Sequence, residues 1–161
     1  MHRDFDSLSN EVADNTTSNL ILTKIQQTSS DEIFELTSSD GSVFFIRSTY
    51  LQIINIEEIK NRFTDLNASS VIFSQEESED ILCAGFAFSA EKKAEDYLGR
   101  SEQCRFKLTQ KLLQKGFSEN SIELALNRLE SKNYLSDFRY ATCWIRSRCI
   151  SKFQGKTRLL S

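Results

Sequence analysis

Proline is absent from this 161-residue chain, and only five of its residues are glycine. These two residues interrupt helices most strongly, because proline removes a backbone donor and glycine costs extra conformational entropy. A chain nearly free of both can carry long helices. Apolar residues make up 39% of the chain and charged residues 27%, so most of it is expected to fold around a core. We therefore predict a mostly helical protein of one domain or two small ones.

The helical pattern is strongest in the second half of the chain. Apolar residues keep to one stripe from Glu76 to Gly99, which predicts a long helix. Three further helices of about 13 to 17 residues, joined by short turns, are predicted to follow and to form a small antiparallel three-helix unit. The residues predicted to cap or end these helices are Ser101, Ser118, Ser136 or Asp137, and the pair Lys115-Gly116.

Each of these three helices has an apolar stripe that is expected to face a core. The stripes are Phe106, Leu108, Leu112 and Leu113, then Ile122, Leu126 and Leu129, and finally Phe138, Ala141, Ile145 and Cys149. Trp144 is also expected to pack in a core, together with Tyr97. The alternative role for Trp144, stacking on a nucleic-acid base, would require an exposed ring.

The segment before residue 51 has strand character. It contains "NLILTKIQQ", "EIFEL" and "SVFFIRSTY", and Asp40-Gly41 marks a tight turn between the last two, so a small antiparallel meander is predicted. Asn55 followed three residues later by Glu58 has the spacing of a capping box and predicts a helix. The stretch "ASSVIFSQ" fits either a linker or a short extra strand.

Charge is distributed unevenly along the chain. Residues 100–161 hold 13 Lys+Arg and 5 Asp+Glu, a balance of +8, whereas residues 1–99 hold 7 and 18, a balance of −11. Such asymmetry predicts an anionic partner for the basic part. Residues 1–18 are polar and acidic, which predicts a disordered lead and not a signal peptide.

Several functional classes are disfavoured by the composition. The four cysteines form no CxxC pair and the single histidine is His2, so neither a metal site nor a cofactor is predicted. No Ser-His frame or glycine-rich phosphate loop accompanies the acidic residues, which argues against an enzyme and a small-molecule substrate. Scattered thiols indicate a reducing cytoplasm, and no apolar run approaches the roughly 20 residues that span a bilayer.

A weak internal repeat links two helices. The segments "AEDYLGRS" and "ATCWIRSR" share a frame in which alanine precedes an aromatic and an aliphatic residue, at an offset of 47 residues (141 − 94). The aligned pairs are Ala94 with Ala141, Tyr97 with Trp144, and Leu98 with Ile145. The pairing suggests that a second three-helix unit begins near residue 138.

Other patterns carry a family resemblance. The segment "AEDYLGRS" is followed by a K-L-x-x-K-G helix end, an I-E-x-x-L-x-x-L helix, a Y-L-x-D turn, and an R-x-A helix that ends in R-S-R. With these features the stretch from Ala94 to Leu159 resembles the RecX family of bacterial recombinase regulators. Asn133 stands where the family has a glycine before Y-L, and asparagine also adopts left-handed backbone geometry.

The resemblance implies a mostly α fold of tandem three-helix repeats, here preceded by the small β meander. It implies a regulator, without catalytic residues, that binds the RecA recombinase filament and inhibits its ATPase, strand exchange and recombination activity in DNA repair and the SOS response. DNA within the filament is a further candidate partner. The family usually has about three repeats. We therefore expect the following division: a lead at 1–18, the meander and a helix at 19–66, the long helix and first repeat at 67–137, and the start of a second, truncated repeat at 138–161.

Two basic runs are the candidate binding residues. They are Arg100, Arg105, Lys107 and Lys111 in the first run, and Arg146, Arg148, Lys152, Lys156 and Arg158 in the second. The arginine fork binds both carboxylate and phosphate groups through two hydrogen bonds, which suits an acidic filament groove or a DNA backbone. A simple solvated face remains the other interpretation of each run. For the chain as a whole, the alternative to a filament regulator is a generic DNA-binding helical module.

Overall fold

The computed structural model describes residues 19–65 and 69–151. Its first half contains strands β1 (Ile21–Gln27), β2 (Ile33–Ser38), β3 (Val43–Arg47) and β4 (Val71–Ile72), with helix α1 (Ile56–Asp65) before β4. Its second half contains helices α2 (Gln75–Arg100), α3 (Arg105–Leu113), α4 (Glu119–Ser131) and α5 (Asp137–Ser151). The prediction of a mostly helical chain with a small antiparallel sheet is confirmed. The predicted lead, residues 1–18, lies outside the described residues.

The sheet has the strand order β3-β2-β1-β4, and every neighbouring pair is antiparallel. The predicted turn at Asp40-Gly41 is confirmed: Gly41 has φ +86°, and the Ser42 N–H donates to Asp40 Oδ1 over 2.8 Å. Val71 lies opposite Leu22 of β1, so "ASSVIFSQ" contains a short fourth strand and is not only a linker.

One hydrophobic core lies between the sheet, α1 and the first part of α2. Its largest fully buried side chains are Leu22, Phe34, Leu36, Ile46, Ile59, Phe73 and Ile81. Helix α2 comes very close to β3, because a Cβ atom on Gly85 would lie 3.1 Å from the Phe44 ring. Glycine at this position therefore permits the close packing of helix on strand.

The starts of α1 and α2 are set by local capping groups. The Asn55 side chain accepts a hydrogen bond from the Glu58 N–H over 2.8 Å, which confirms the predicted cap of α1. The Glu58 carboxylate pairs with Arg62. Helix α2 begins with a complete capping box, in which Ser74 and Glu77 each accept from the other's backbone N–H. The long helix predicted from Glu76 to Gly99 is confirmed.

A second core joins the C-terminal end of α2 to α3 and α4. Its buried residues are Ala94, Leu108, Leu112, Ile122, Leu126, Leu129 and Leu135, with Tyr97 and Leu98 half-buried against them. Helix α2 therefore contributes to both cores. The chain leaves α3 and α4 through left-handed residues, Gly116 at φ +86° and Asn133 at φ +60°, as both sequence signals predict.

Three predictions about α3 are wrong, and they concern its start, its length and the burial of its apolar stripe. Ser101 does not begin α3: its N–H bonds to Tyr97 O at the end of α2, and α3 begins only at Arg105. Helix α3 has nine residues, fewer than predicted. Phe106 is 68% exposed and Leu113 41% exposed, whereas Leu108 and Leu112 are buried. A helix this short buries one narrow stripe, which leaves the flanking apolar residues in solvent.

Of the two residues predicted to cap α5, Ser136 or Asp137, the structure selects Ser136. Ser136 Oγ accepts from the Arg139 N–H over 3.3 Å, so Ser136 caps α5. Asp137 instead accepts from the Arg105 N–H over 2.7 Å, and thus caps the start of α3 from across the fold. The predicted cap at Ser118 is confirmed, because its hydroxyl accepts from the Ser121 N–H at the start of α4.

The apolar stripe of α5 was expected to face a core, and this prediction is wrong for the described structure. Phe138 is 85% exposed, Ile145 47% and Trp144 40%, and Ala141 and Cys149 are also exposed. The residues that bind α5 to the other described elements lie in its first turn, at Asp137, Arg139 and Tyr140. Among the described residues, neither buried core includes this stripe.

Candidate partner-binding surface

Six of the nine predicted binding residues lie in the described part of the chain. Arg100 and Lys107 are exposed and Arg105 and Lys111 are half-buried, at the end of α2 and along α3. Arg146 is exposed and Arg148 half-buried on α5. Lys152, Lys156 and Arg158 lie outside the described residues.

Arg105 ties α3 to α4. Its Nη1 atom lies 2.8 Å from Glu130 Oε2, and its Nη2 atom donates to Asn127 Oδ1 over 2.8 Å. The guanidinium is therefore already committed to neighbours on α4. Its role in the described structure is to hold the two helices together, and its availability to a partner is reduced accordingly.

Three cations of the predicted set stand over aromatic rings. Lys107 Nζ lies 5.2 Å from the Tyr140 ring centre, Lys111 Nζ lies 5.0 Å from that of Tyr97, and Arg148 Cζ lies 4.9 Å from that of Trp144. The ring quadrupole attracts each cation without neutralising it. The arrangement holds positive charges in defined positions on α3 and α5.

Lys107 also links α3 to α5 through a hydrogen bond. Its ammonium donates to the Tyr140 hydroxyl over 2.6 Å, and this bond raises the pKa of Lys107 above its usual range. The ammonium group remains exposed and charged at neutral pH. Lys111 donates to Gln103 Oε1 over 2.9 Å, which fixes the second lysine close to the turn between α2 and α3.

Two cations of the set have neither an ion pair nor an aromatic contact with another described residue. Arg100 at the end of α2 and Arg146 on α5 are exposed, and neither forms an ion pair with another described residue. They are therefore the described members of the set whose guanidinium groups are most accessible to an anionic partner. Arg148, over the Trp144 ring, adds a third accessible arginine.

The direction of α5 is fixed by Arg139, which the sequence analysis did not select. Its Nε donates to Glu102 Oε1 over 2.6 Å, its Nη1 to the Asn133 carbonyl over 2.9 Å, and its Nη2 to the Tyr134 carbonyl over 2.8 Å. The guanidinium thus joins the turn before α3 to the turn before α5. The R-x-A pattern contains this arginine, but its partners are set by the fold and have no sequence signal.

A buried charge network joins the sheet to the helices. Arg47 donates to Glu91 through Nε and Nη2, over 3.0 and 2.6 Å, and the Tyr50 hydroxyl donates to the same carboxylate over 2.6 Å. Arg128 of α4 lies 2.6 Å from Glu32, which also pairs with Arg47. Burial, with the Glu91 hydrogen bond, raises the pKa of Tyr50 far above its usual range. Because the phenol stays protonated and buried, this network acts as a structural connection between the two cores.

The described residues contain neither a group of metal ligands nor a membrane-spanning helix. Within residues 19–65 and 69–151 no three His, Cys, Asp or Glu side chains come together in a group that could hold a metal ion. None of the helices described is both long enough and apolar enough to cross a membrane. The surface features that remain are the cations of α2, α3 and α5 and the exposed apolar side chains.

Comparison with known proteins points to one family. Residues 90–129, which form the end of α2, all of α3 and most of α4, match the family model of the RecX first three-helix domain. Regulatory protein RecX of Pseudomonas putida (strain W619) is 46% identical over 57 residues, which are 35% of this chain and 36% of that protein. RecX of Prosthecochloris aestuarii (strain DSM 271 / SK 413) is 40% identical over 67 residues, 42% of this chain and 44% of that protein.

A third relative has the same name, and one solved structure superposes on part of the chain. RecX of Neisseria gonorrhoeae (strain ATCC 700825 / FA 1090) is 39% identical over 71 residues, 44% of this chain and 45% of that protein. The chain thus spans less than half the length of these curated relatives. A crystal structure of regulatory protein RecX superposes with a TM-score of 0.49 and 15% identity, over 80% of this chain and 58% of that one. The sequence matches confirm the family resemblance that the motifs indicate.

Proposed function

We propose that this chain, which carries the first three-helix domain of the RecX family, is a regulatory protein that binds the RecA recombinase filament and inhibits its ATPase, strand exchange and recombination activity. The observation that carries the proposal is the match of residues 90–129 to that domain. The name "regulatory protein" of the relatives supports a role that is not enzymatic. We extend the proposal to a cytoplasmic protein that acts in DNA repair and the SOS response without a cofactor, a small-molecule substrate or a membrane.

The proposed mechanism is steric and electrostatic. The helices would lie along the filament groove, with Arg100, Arg146 and Arg148 facing acidic side chains of the filament or phosphates of the DNA within it. Guanidinium groups bind both kinds of anion in the same geometry. Because exposed charges are screened by salt, association should be fast at low ionic strength and weaken as salt rises.

A second three-helix unit beginning at α5 is part of the proposal. Ala94, Tyr97 and Leu98 of α2 pack on the second core. Their repeat equivalents on α5 are exposed in the described structure, where they would suit burial by further helices or by a partner. We retain the division into a first repeat within residues 67–137 and the start of a second within 138–161 as a proposal.

The proposed function is tested by co-sedimentation with recombinase filaments. Filaments assembled on single-stranded DNA with a non-hydrolysable ATP analogue are pelleted with the chain across a series of salt concentrations. The chain is expected in the pellet at low salt and in the supernatant at high salt. If it stays in the supernatant even at low salt, the proposed function is wrong.

The second candidate, a generic DNA-binding helical module, is favoured by one observation. Trp144 is 40% exposed with Arg148 over its ring, and an exposed aromatic beside cations is the arrangement that stacks on unpaired bases. This function predicts a gel shift of DNA without recombinase, with affinity that falls steeply as salt rises. A shift only when recombinase is present favours the filament regulator.

A further inference from the structure

A groove on the acidic half of the protein lies at the edge of the first core. It has a volume of about 210 Å³ and lies between α2, the hairpin that joins β2 to β3, and the start of β1. The apolar side chains that line it are Leu20, Val43, Phe44, Leu82 and Phe86. Three of them are large and exposed, Val43 at 45%, Leu82 at 40% and Phe86 at 42%. Large apolar side chains gathered around one concave site are characteristic of a binding surface.

The walls of the groove are fixed by the surrounding fold. Leu82 and Phe86 are four residues apart and therefore stand on one face of α2, with Gly85 beside them at the closest approach to Phe44. The hairpin wall is held by the Asp40-Gly41 turn. A preformed apolar site loses little conformational entropy when it is occupied, which favours tight binding of a single side chain.

The carboxylate of Asp40, at the rim of the groove, indicates the charge of the ligand that fits there. The Asp40 carboxylate accepts from the Ser42 N–H over 2.8 Å and the Ser42 hydroxyl over 2.9 Å, and these bonds lower its pKa, so it is an anion at neutral pH. Exposed Glu79 stands one turn before Leu82 on α2. Lys93 lies one turn beyond Ser89, the last lining residue on α2, and thus away from the hairpin end of the groove. A carboxylate at the hairpin end repels phosphate and attracts a cation, which disfavours nucleic acid as the occupant.

We propose that this groove binds a polypeptide segment of the recombinase that places a large apolar side chain against Phe44, Leu82 and Phe86, with a neighbouring Lys or Arg beside Asp40. The inference rests on the proposed function, because it takes the recombinase as the partner. The groove would add an apolar contact to the one made by the basic surface on α3 and α5. The rim of the groove favours a cation, whereas the basic surface favours an anion. The filament would then be held at two separate surfaces of one rigid molecule.

The test uses two groove variants and one matched control. Leu82→Ser and Phe86→Ser each remove an exposed apolar side chain of the groove. The control, Ile53→Ser in the loop before α1, removes an exposed apolar side chain outside both the groove and the basic surface. Filament affinity is measured by co-sedimentation at several salt concentrations, and circular dichroism checks that each variant is folded. Each groove variant is expected to bind about tenfold more weakly, as for loss of a central apolar contact. The control should bind within about twofold of the unaltered chain.

The salt dependence separates this contact from the basic surface. Loss of an apolar contact releases no counterions, so the groove variants should keep the slope of log affinity against log salt. Asp40→Asn retains the turn and removes the charge at the rim. This variant should bind the filament more weakly than the unaltered chain at low salt and equally well at high salt, where the charge is screened.

Each outcome of the test is decisive. If the unaltered chain binds the filament and both groove variants bind equally well, this inference is overturned and the proposed function stands. The inference is also overturned if Ile53→Ser weakens binding as much as Leu82→Ser. If the unaltered chain does not bind at all, the proposed function is wrong and the inference falls with it.

Discussion

Individual residues in this protein are often fixed by partners far away in the sequence. Arg47 and Glu91 are 44 positions apart and almost completely buried, at 6% and 2% exposure. A buried carboxylate requires such a partner, because the loss of hydration is costly without compensating bonds. The pair therefore connects β3 to α2 at the place where the two cores meet.

Arg47→Met should strongly destabilise the fold. The Glu91 carboxylate would keep the Tyr50 hydroxyl, and the Arg128 guanidinium 3.6 Å away would be its remaining cation. Removal of one partner of a buried pair costs about 3–5 kcal/mol. Urea denaturation measures the free energy of unfolding, with Lys92→Met as the control because its pair with Glu95 is on the surface and is worth about 0–1 kcal/mol. Equal effects of the two substitutions would contradict the structural role of the buried pair.

The turn between α4 and α5 depends on the left-handed backbone of Asn133. At φ +60° a β-branched residue is strained, so Asn133→Val should lower the free energy of unfolding by about 1–2 kcal/mol. Asn133→Gly keeps the backbone conformation and the carbonyl that accepts from Arg139, and should be within about 0.5 kcal/mol of the unaltered chain. Both are measured by urea denaturation. If glycine were as costly as valine, backbone strain would not be the cause.

At this scale the sequence predicts what is local. The cap at Asn55, the cap at Ser118 and the left-handed Gly116 each depend on residues within a few positions, and each is confirmed. Asp137 caps α3 from 32 positions away, which no local pattern indicates. The partners of Arg47 escaped prediction for the same reason.

Among the described elements, α2 is the one that contributes buried side chains to both hydrophobic cores. It runs for 26 residues and begins at the Ser74–Glu77 capping box. Its first part packs on the sheet, and its last part packs on α3 and α4.

The stability of the N-terminal end of α2 is linked to pH through Glu77. Hydrogen bonds from Arg62, and then from the Ser74 backbone, lower the pKa of Glu77 from 4.5 to about 2.

Glu77→Gln should therefore destabilise the protein in a pH-dependent way. A carboxyl with a depressed folded-state pKa stabilises the fold above its unfolded pKa of 4.5, and this contribution is lost as pH falls towards 2. The difference in free energy of unfolding between the unaltered chain and the variant should be constant above pH 5.5 and shrink progressively below about pH 4.5. Urea denaturation of both proteins at several pH values measures it. A difference that does not change between pH 6 and pH 3 would contradict the assignment.

Helix α5 shows the limit of prediction from periodicity. The pattern correctly indicates a helix at 137–151 with an apolar stripe, yet the stripe is exposed among the described residues. Periodicity identifies which residues share a face, whereas burial depends on whether another element covers that face. The positions of Lys107, Lys111 and Arg148 over aromatic rings could not be predicted either, because two of the three contacts join different elements.

Trp144 provides a direct optical test of α5, because it is the only tryptophan of the chain. At 40% exposure its fluorescence should be strongly quenched by iodide in the free protein. On addition of recombinase filaments, the emission should shift to shorter wavelength and the quenching should fall, since a partner that covers α5 excludes water. Emission of the free chain that resists iodide would contradict the exposed position of this side chain.

At the scale of the whole molecule, the two halves differ in charge and in the kind of surface they present. The first half is acidic and carries the sheet and the apolar groove, and the second is basic and carries the cations held over aromatic rings. Arg128, paired with Glu32, connects the three-helix unit to the sheet. A partner can therefore meet both surfaces in a fixed relative position. The sequence predicted the charge asymmetry and the family, and it did not predict the groove, because β3 and α2 come together only through folding.

The most direct test of the proposed function is the rate of ATP hydrolysis by recombinase filaments on single-stranded DNA as the chain is added. We predict that the unaltered chain lowers this rate, that higher salt weakens the inhibition, and that the variant Arg146→Ala/Arg148→Ala inhibits several-fold less at low salt. These arginines are on the described surface of α5, with Arg146 in no ion pair to another described residue, so the substitution should leave the fold intact. Unchanged ATP hydrolysis at low salt, with excess folded chain present, would contradict the proposed inhibition of the filament.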